Sequence, residues 1–519
     1  MIDLGPEDLE GLFLRLEAGS LTQQDRRILK AIVEAYLLLS RALQEKSAKI
    51  KELLRMIFGV KTERAEALLG GNSKRGTKEK PEAAGKKTGH GRYGASSYTG
   101  AKKIPVSHPS LRREDSCPGC QRGKLYPLGA PGVSVRISAI APLQAELFER
   151  EKLRCNLCGE LFTAPLPEEA GQGKYDQSAG AMIALLKYGG GLPFNRIEQL
   201  QESLGIPVAA STQWDIVEKT ADRIYPVHDE LIRQAAQGEI IYNDDTRMKI
   251  LALVPQSDGE RSGSFTTGIL SIVAEKKIVL FATGRKHAGE NLNDLLAQRE
   301  LRMGPPIQMC DALSRNPPED FTTLLANCLV HARRNFVELV CSFPEECRYV
   351  IETLRDVYLN DKTAREEHFT PRQRLEYHQQ KSAALMEGLR AWLNDQMDAK
   401  KVEPNSSLGK AISYMLNHWE PLTLFLRTEG APLDNNLCEQ ILKRAILHRK
   451  NSLFYKTEHG AYIGDLFMSL IGTCRISKIN PFNYLVALQK HSKEVFRNPQ
   501  SWLPWNYTAA LPPSALPAR

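Results

Sequence analysis

The chain has 519 residues, a formal net charge of +8 and a pI of about 8.8, with 42% hydrophobic and 25% charged residues. That length exceeds what one hydrophobic core organises, so several domains are expected, and the composition excludes a disordered chain. No apolar run reaches the roughly 18–20 residues of a membrane span, and Met1-Ile2-Asp3 does not open a signal-peptide layout. Ten cysteines, four in two CxxC pairs and six single, are not a disulfide framework, so a reducing cytoplasm is the expected compartment.

In chain order, residues 1–70 predict a helical segment that pairs subunits. Leu29, Tyr36, Leu43, Ile50 and Ile57 occupy heptad position a, and Ile32, Leu39, Lys46, Leu53 and Val60 occupy d. This is a coiled-coil pattern with one polar interruption; an amphipathic helix packed on its own domain gives the same pattern. Residues 71–112 read as a basic flexible linker. Nine basic and two acidic residues fall within 71–105, so Lys86, Lys87 and Arg92 are candidate contacts to a polyanion, nucleic acid above all.

Residues 113–165 carry Cys117-Pro118-Gly119-Cys120 and Cys155-Asn156-Leu157-Cys158. Two such knuckles complete a tetrahedral four-thiolate zinc site, structural because no position stays open. Val133–Ile140 and Gln144–Lys152 are expected to form a hairpin between them. Residues 166–235 read as helices in a helix-turn-helix-like arrangement. The amphipathic stretch Phe194–Leu204 is broken by Gly205-Ile206-Pro207, and Ser211 is placed to cap a second helix, with Thr212 and Gln213 at its start as candidate base contacts. Any helical hairpin shares that pattern.

From 236 to 345 the period shifts to that of strands, at Glu239–Tyr242, Lys249–Val254, Phe265–Val273, Lys277–Ala282 and Ile307–Cys310. Helices are expected over 346–425 as an insertion, and over 426–495 as a second part of the same core. The tail, 496–519, contains several prolines and is expected to be irregular. The overall fold class is therefore a multidomain α+β protein.

Three acids stand at informative places: Asp244 after a strand, Asp311 after another, and Glu439 in the first turn of a helix that Asp434 or Asn435 can cap. Asp245 must point away from Asp244 because strand side chains alternate; Asp244 is taken as the ligand. Carboxylates suit Mg²⁺, and a pair of ions can serve in-line phosphoryl transfer. His331 and Arg334, three apart on one helix face, with Arg333 beside them, are placed to touch phosphate. Lys443, Arg444, Arg449 and Lys450 form a basic run beside Glu439 that suits a DNA backbone. Cys328 reads as a packed apolar residue.

The segments PLDNNLCE with HRKNSLF, NDDT, CDALSRN and CLVHARRNF resemble the transposases of the insertion sequence 66 family. So do MIFGVKTER, GHGR, the double CxxC and LPFNRIEQLQESLGIPVAASTQWD, in the family's order over roughly residues 45–490. The resemblance implies a ribonuclease-H-like DDE core with a helical insertion, and Asp244, Asp311 and Glu439 as its triad. It further implies two Mg²⁺ (or Mn²⁺) ions, the element's inverted repeats and target DNA as substrates, a homodimer or higher oligomer on DNA, a nucleoid-associated location, and element-encoded accessory proteins. The chain departs from the family pattern at Asn243-Asp244-Asp245-Thr246, where Ala-Asp-Glu-Thr is usual, and at Asp311-Ala312-Leu313, where Asp-Gly-Tyr is usual. Two alternatives share these features: a zinc-containing DNA-binding regulator with an inactive core, and a nuclease that cuts without joining.

Overall fold

The computed structural model describes residues 173–253 and 263–511 continuously, with 109–118, 120–126, 141–154, 156, 161–168 and positions 22, 25 and 29. Apart from Leu29, the heptad segment lies outside the described residues, as do Lys86, Lys87, Arg92, the Val133–Ile140 half of the expected hairpin, Cys155, Cys158 and the chain beyond 511. No described helix is long and apolar enough to cross a membrane.

A short antiparallel pair, β1 (Lys152–Arg154) and β2 (Leu161–Thr163), brackets the second CxxC pair. It replaces the expected Gln144–Lys152 strand, whose residues before Lys152 join no ladder. Helix α1 (Gln177–Ala184) runs into a wide π-type turn, Leu185–Gly189, and is followed by α2 (Phe194–Ser203) and the long α3 (Ala210–Ala235). The break between α2 and α3 falls at Gly205, whose φ of +77° explains the glycine. Ser211 does not cap α3: the N-cap is Ala209, two residues earlier than expected.

The central sheet has five strands: β3 (Ile240–Met248), β4 (Ser264–Val273), β5 (Lys276–Gly284), β6 (Ile307–Cys310) and β7 (Leu324–Asn327). Their order is β5-β4-β3-β6-β7. The first three form an antiparallel meander, and β6 and β7 run parallel to β3. Strand β3 continues through the acids to Met248, further than its apolar run suggested. Of the expected strand Lys249–Val254, the described residues 249–253 form none; Ile250 makes a single bridge, to Tyr455. β7 was absent from the sequence reading because its four residues carry too little alternation to separate from the helix after them.

Helix α4 (Ala288–Leu296) lies on one face of β3 and β4, joined there by the C-terminal end of α3. After α5 (Leu329–Val337) come α6 (Pro344–Glu366), α7 (Pro371–Lys381), α8 (Ala383–Asp398), α9 (Ser407–Asn417) and the short α10 (Trp419–Leu422), the expected all-helical stretch between the second and third acids. α11 (Asn436–Ser452) returns to the sheet, on the face opposite α4. The chain ends with α12 (Glu458–Ile476), α13 (Pro481–Lys490), α14 (Ser492–Arg497) and α15 (Tyr507–Ala510). As far as residue 511 the tail corrects the irregular expectation: Trp502, Leu503 and Tyr507 are buried, and Tyr484 donates to the Trp502 carbonyl at 2.8 Å.

α12 closes the sheet's outer edge by an uncommon route. The outward N–H groups of Val279, Phe281 and Thr283 on β5 donate to Thr473 Oγ1 (3.0 Å), Ser469 Oγ (2.9 Å) and Asp465 Oδ2 (2.6 Å). Four helical residues rise about 6 Å and two strand residues about 6.6 Å, so polar groups at every fourth position meet alternate strand amides. Gly472 permits the approach, because a Cβ there would lie 2.8 Å from Val279 Cγ1. An exposed edge is thereby paired without another strand. Ser469→Ala and Thr473→Val each strand a buried amide and are expected to cost about 1–3 kcal/mol. Urea denaturation checks this, and unchanged midpoints for both variants would show that the edge amides do not need these partners.

Candidate active site

Asp244 lies within β3, opposite Gly268 of β4 in the register. Above that pair, α11 crosses the sheet. A Cβ on Gly268 would come within 2.9 Å of Leu442 Cγ and Cδ2, and the Cys438 thiol donates to the Gly268 carbonyl at 3.3 Å. The missing side chain at 268 is thus what lets α11 descend far enough to bring Glu439 toward Asp244.

The start of α11 is held by Asn435, which is wholly buried. Its side-chain amide donates to the Asn243 carbonyl (3.3 Å), and its backbone N–H donates to Cys328 Sγ (3.3 Å). Asn435 occupies the N-cap position without a side-chain cap; Asp434 instead accepts from the Asn436 N–H at 3.1 Å. The Leu329 N–H donates to the Leu433 carbonyl (3.0 Å), which fastens the same segment to the start of α5.

Asp311 follows β6 directly. The loop after it folds back through Asn316, whose amide donates to the Asp311 carbonyl, and whose carbonyl accepts from Asn243 and Gln308 at 2.9 Å each. His331, on α5, lies between the second and third acids: Nδ1 is 2.8 Å from Asp311 Oδ1 and Nε2 is 3.8 Å from Glu439 Oε1. Side-chain donor atoms of Asp311, Cys328, His331 and Glu439 all lie within 4.8 Å of one another. The close Asp311 carboxylate, then Cys328, raise the His331 pKa to about 10, so a cation stands among the acids. Burial pushes Asp244 up to about 7, with the charges of Asp311, Asp245 and Glu439 adding to it. Asp244 itself stands outside the four-residue group and meets it through this charge coupling.

Asp311 Oδ1, Glu439 Oε1 and His331 Nδ1 are shielded from solvent without a well-directed hydrogen bond. The His331 ring answers Asp311 Oδ1 at 2.8 Å but stands 3.8 Å from Glu439 Oε1, so the cluster is only partly compensated. Two hard oxygens so placed fit a divalent metal.

Asp245 behaves oppositely. Its side chain is 1% exposed and bonds His287 Nδ1 and Arg315 Nη2, each at 3.0 Å. The alternation expected from the strand therefore separates a coupled acid from a satisfied one.

Several candidate contacts take other roles. Gln213 is fully buried and donates to the Val208 (2.8 Å) and Phe194 (3.2 Å) carbonyls. It fastens α2 to α3 and has no surface with which to read a base; Thr212 beside it is half-buried. His331 faces the acids instead of an outer surface. Arg449 donates to Thr246 Oγ1 (3.0 Å) and the Arg247 carbonyl (2.6 Å), fixing the far end of α11 to β3. Arg444 is half-buried, and burial lowers its pKa to about 10. Lys443 and Lys450 are exposed on α11, and Arg333 and Arg334 are half-buried on α5. Sequence reasoning missed Gly268, Asn316 and the tie of Asn435 to Asn243, having placed Asn435 only as a cap; an asparagine next to Asp244 and two asparagines shortly before Glu439 are the faint signal they leave.

In the described part of the cysteine module, the Cys117 N–H donates to the Gly123 carbonyl (2.7 Å) and the Gln121 N–H to the Cys117 carbonyl (2.8 Å). The N–H groups of Arg122 and Gly123, with Cys117, lower the Cys120 pKa.

A family model described as the IS66 family of transposases matches residues 172–463, more than half of the chain. The chain is also similar to uncharacterised proteins of Sinorhizobium fredii. One, y4jD, is 25% identical over 435 residues, 79% of this chain and 81% of that protein. Another, y4hP, is 25% identical over 449 residues, covering 79% and 78%.

Gly268→Val forces α11 off the sheet, and a loss of about 1–3 kcal/mol is expected from the overpacking. Gly268→Ala should lose less. Equal denaturation midpoints for glycine and valine would mean that α11 does not rest on this position.

Proposed function

Because the chain belongs to the IS66 transposase family, we propose that it cuts the ends of its own element and joins them to target DNA. The observation that carries this reading is the meeting of Asp311 and Glu439 around His331, with Asp244 coupled across from them. These acids are brought from β3, β6 and α11, positions far apart in the chain. The strand order, a three-stranded antiparallel meander extended by two parallel strands, supports a ribonuclease-H-like core with α6–α10 as its insertion.

Asp244, Asp311 and Glu439 would hold Mg²⁺ or Mn²⁺. Bound there, the metal supplies charge stabilisation to an in-line phosphoryl transfer and lowers the pKa of an attacking water. The protein's own part is placement. Asn435 and Arg449 fix α11 at two points on β3, and the Asn316 loop fixes Asp311. His331 holds positive charge between two carboxylates that would otherwise repel. Cys328, a soft donor already engaged by the Asn435 N–H, forms the wall of the site.

Lys443 and Lys450, exposed along α11, supply a track for the DNA backbone, with Arg333 and Arg334 nearer the acids. Lys86, Lys87 and Arg92 extend the contact through the basic linker. Cys117, Cys120, Cys155 and Cys158 form a structural zinc site in this reading. It is supported by the N–H groups that favour a thiolate at Cys120 and by the β1–β2 pair that brackets the second cysteines. The heptad segment joins two subunits on DNA.

A regulator with an inert core is the competing reading. The convergence of donor atoms of Asp311, His331 and Glu439 within 4.8 Å, with Glu439 Oε1 short of a hydrogen bond, opposes it.

The test is strand transfer with Mg²⁺, a precut element end and a target plasmid. Glu439→Gln and Asp244→Asn are expected to lower joining by about a thousandfold, the scale of lost metal-borne charge stabilisation, with DNA binding retained. Joining by Glu439→Gln at the wild-type rate would sink the assignment. Cleavage without joining by the wild type would mark a nuclease.

A further inference from the structure

The far end of α11 carries a feature that the phosphoryl-transfer chemistry does not use. After Ser452 the chain turns through Leu453, whose φ of 67° and ψ of −43° lie in a region that a branched side chain enters only under strain. Leu453 is 64% exposed and Phe454 36% exposed, and Leu447, nearly two turns earlier, is 45% exposed. Three apolar side chains thus face solvent at one helix end, two of them at its tip.

That tip is rigidly seated. The Leu453 N–H closes onto the Arg449 carbonyl (2.8 Å) and the Phe454 N–H onto the Ser452 carbonyl (2.8 Å). Tyr455 is then paired with the continuation of β3: its N–H donates to the Lys249 carbonyl (2.8 Å), and its carbonyl accepts from the Leu251 N–H (2.9 Å). The turn is therefore fixed to the strand that carries Asp244, and strain at Leu453 is maintained by bonds on both sides.

The surroundings are cationic. Lys450, Lys456, Arg247 and Lys249 are all exposed around the tip. Gln440, Lys443, Leu447 and Lys450 follow one another at helical spacing as an exposed stripe from Glu439 to the tip. Leu453 is fourteen residues beyond Glu439, about 20 Å at about 1.5 Å per residue. That is the length of roughly six base pairs at about 3.4 Å each.

We infer that Leu453 and Phe454 form a wedge that enters the base stack of the element's end, about six base pairs from the phosphate held at the acids. An apolar tip ringed by lysine and arginine is complementary to DNA, whose phosphates meet the cations while the bases meet the aromatic ring. The wedge fixes the register of the duplex along α11, and so decides which phosphate reaches Asp244, Asp311 and Glu439. This rests on the transposase reading of the same site.

The test uses the full chain and duplexes carrying the element's end, with 2-aminopurine placed singly at successive positions. Unstacking should raise fluorescence at one or two positions about six base pairs from the cleaved phosphate. Phe454→Ala should abolish the rise and lower cleavage about tenfold, as expected for loss of one base–aromatic contact. An abasic site at that position should restore cleavage by the variant. Leu453→Gly accepts the positive φ and keeps the turn, so it should raise thermal stability while weakening the fluorescence change.

Flat fluorescence at every position, with Phe454→Ala cleaving like the wild type, would overturn the wedge and leave the transposase reading intact. A shift in oligomeric state of Phe454→Ala with cleavage unchanged would assign the tip to contact between copies and also overturn it. Failure of the wild type to bind or cut element ends would overturn the underlying reading, and the wedge with it.

Discussion

The candidate site depends on one arrangement: a single helix, α11, fastened at both ends to a single strand, β3. Asn435 bonds the Asn243 carbonyl at one end, and Arg449 bonds Thr246 and Arg247 at the other. Between these points Gly268 removes the side chain that would hold the helix away. A buried Asn bonding backbone on one side and a thiol on the other has no water to fall back on, so its geometry is fixed by the cost of losing it. The position of Glu439 follows from these contacts more than from its own surroundings. α5 is drawn in by the Leu433–Leu329 bond and by Cys328, which puts His331 beside Asp311 as a consequence of the same joint.

The helical insertion is connected to this joint as well. Asp361 of α6 is bonded by Arg374 and His378 of α7 and paired with Arg365, and Arg374 also donates to the Ala431 carbonyl at 3.4 Å. Asp361 is held below the usual carboxylate range by His378 and Arg374 even though burial opposes this. Ala431 begins the segment that leads through Asp434 and Asn435 into α11. The insertion is therefore more than a loop replaced by helices: its polar centre takes part in setting where the glutamate helix begins.

Much of this architecture was legible in the sequence, and the rest was hidden for identifiable reasons. Long alternating runs gave β4 and β5, and a glycine at a forced positive φ gave the break between α2 and α3. The three acids were visible because each follows a change of period. β3 ran past its apolar residues because Asp244, Asp245 and Thr246 are held by ladder bonds that do not depend on side-chain type. β7 was too short to show its period. Gln213 had the position of a base contact, but the interior between α2 and α3 needed a donor for two carbonyls. His331 and Arg449 were read as phosphate ligands because charge and spacing do not reveal which neighbour a long or ring side chain will meet. Asn435 and Gly268 act across more than a hundred residues of chain, beyond the reach of any local pattern.

The adjacent aspartates of β3 show how differently one strand can treat two acids. Both are withdrawn from solvent by the same strand, and alternation sends them to opposite faces. Asp245 meets His287 and Arg315, and both its carboxylate oxygens have a partner. Asp244 meets two further acids, and burial holds it near neutral pKa. A fold selected for stability alone would place a cation or an apolar residue at position 244. The strand carries both solutions one residue apart, so a general intolerance of buried charge on β3 does not explain the difference. The excess of acids, three against the one His331, is confined to the face where α11 and α5 bring Glu439, Asp311 and His331. That restriction to one face gathers Asp311, His331 and Glu439, whose donor atoms lie close enough together for one cation, beside Asp244, whose pKa burial raises to about 7.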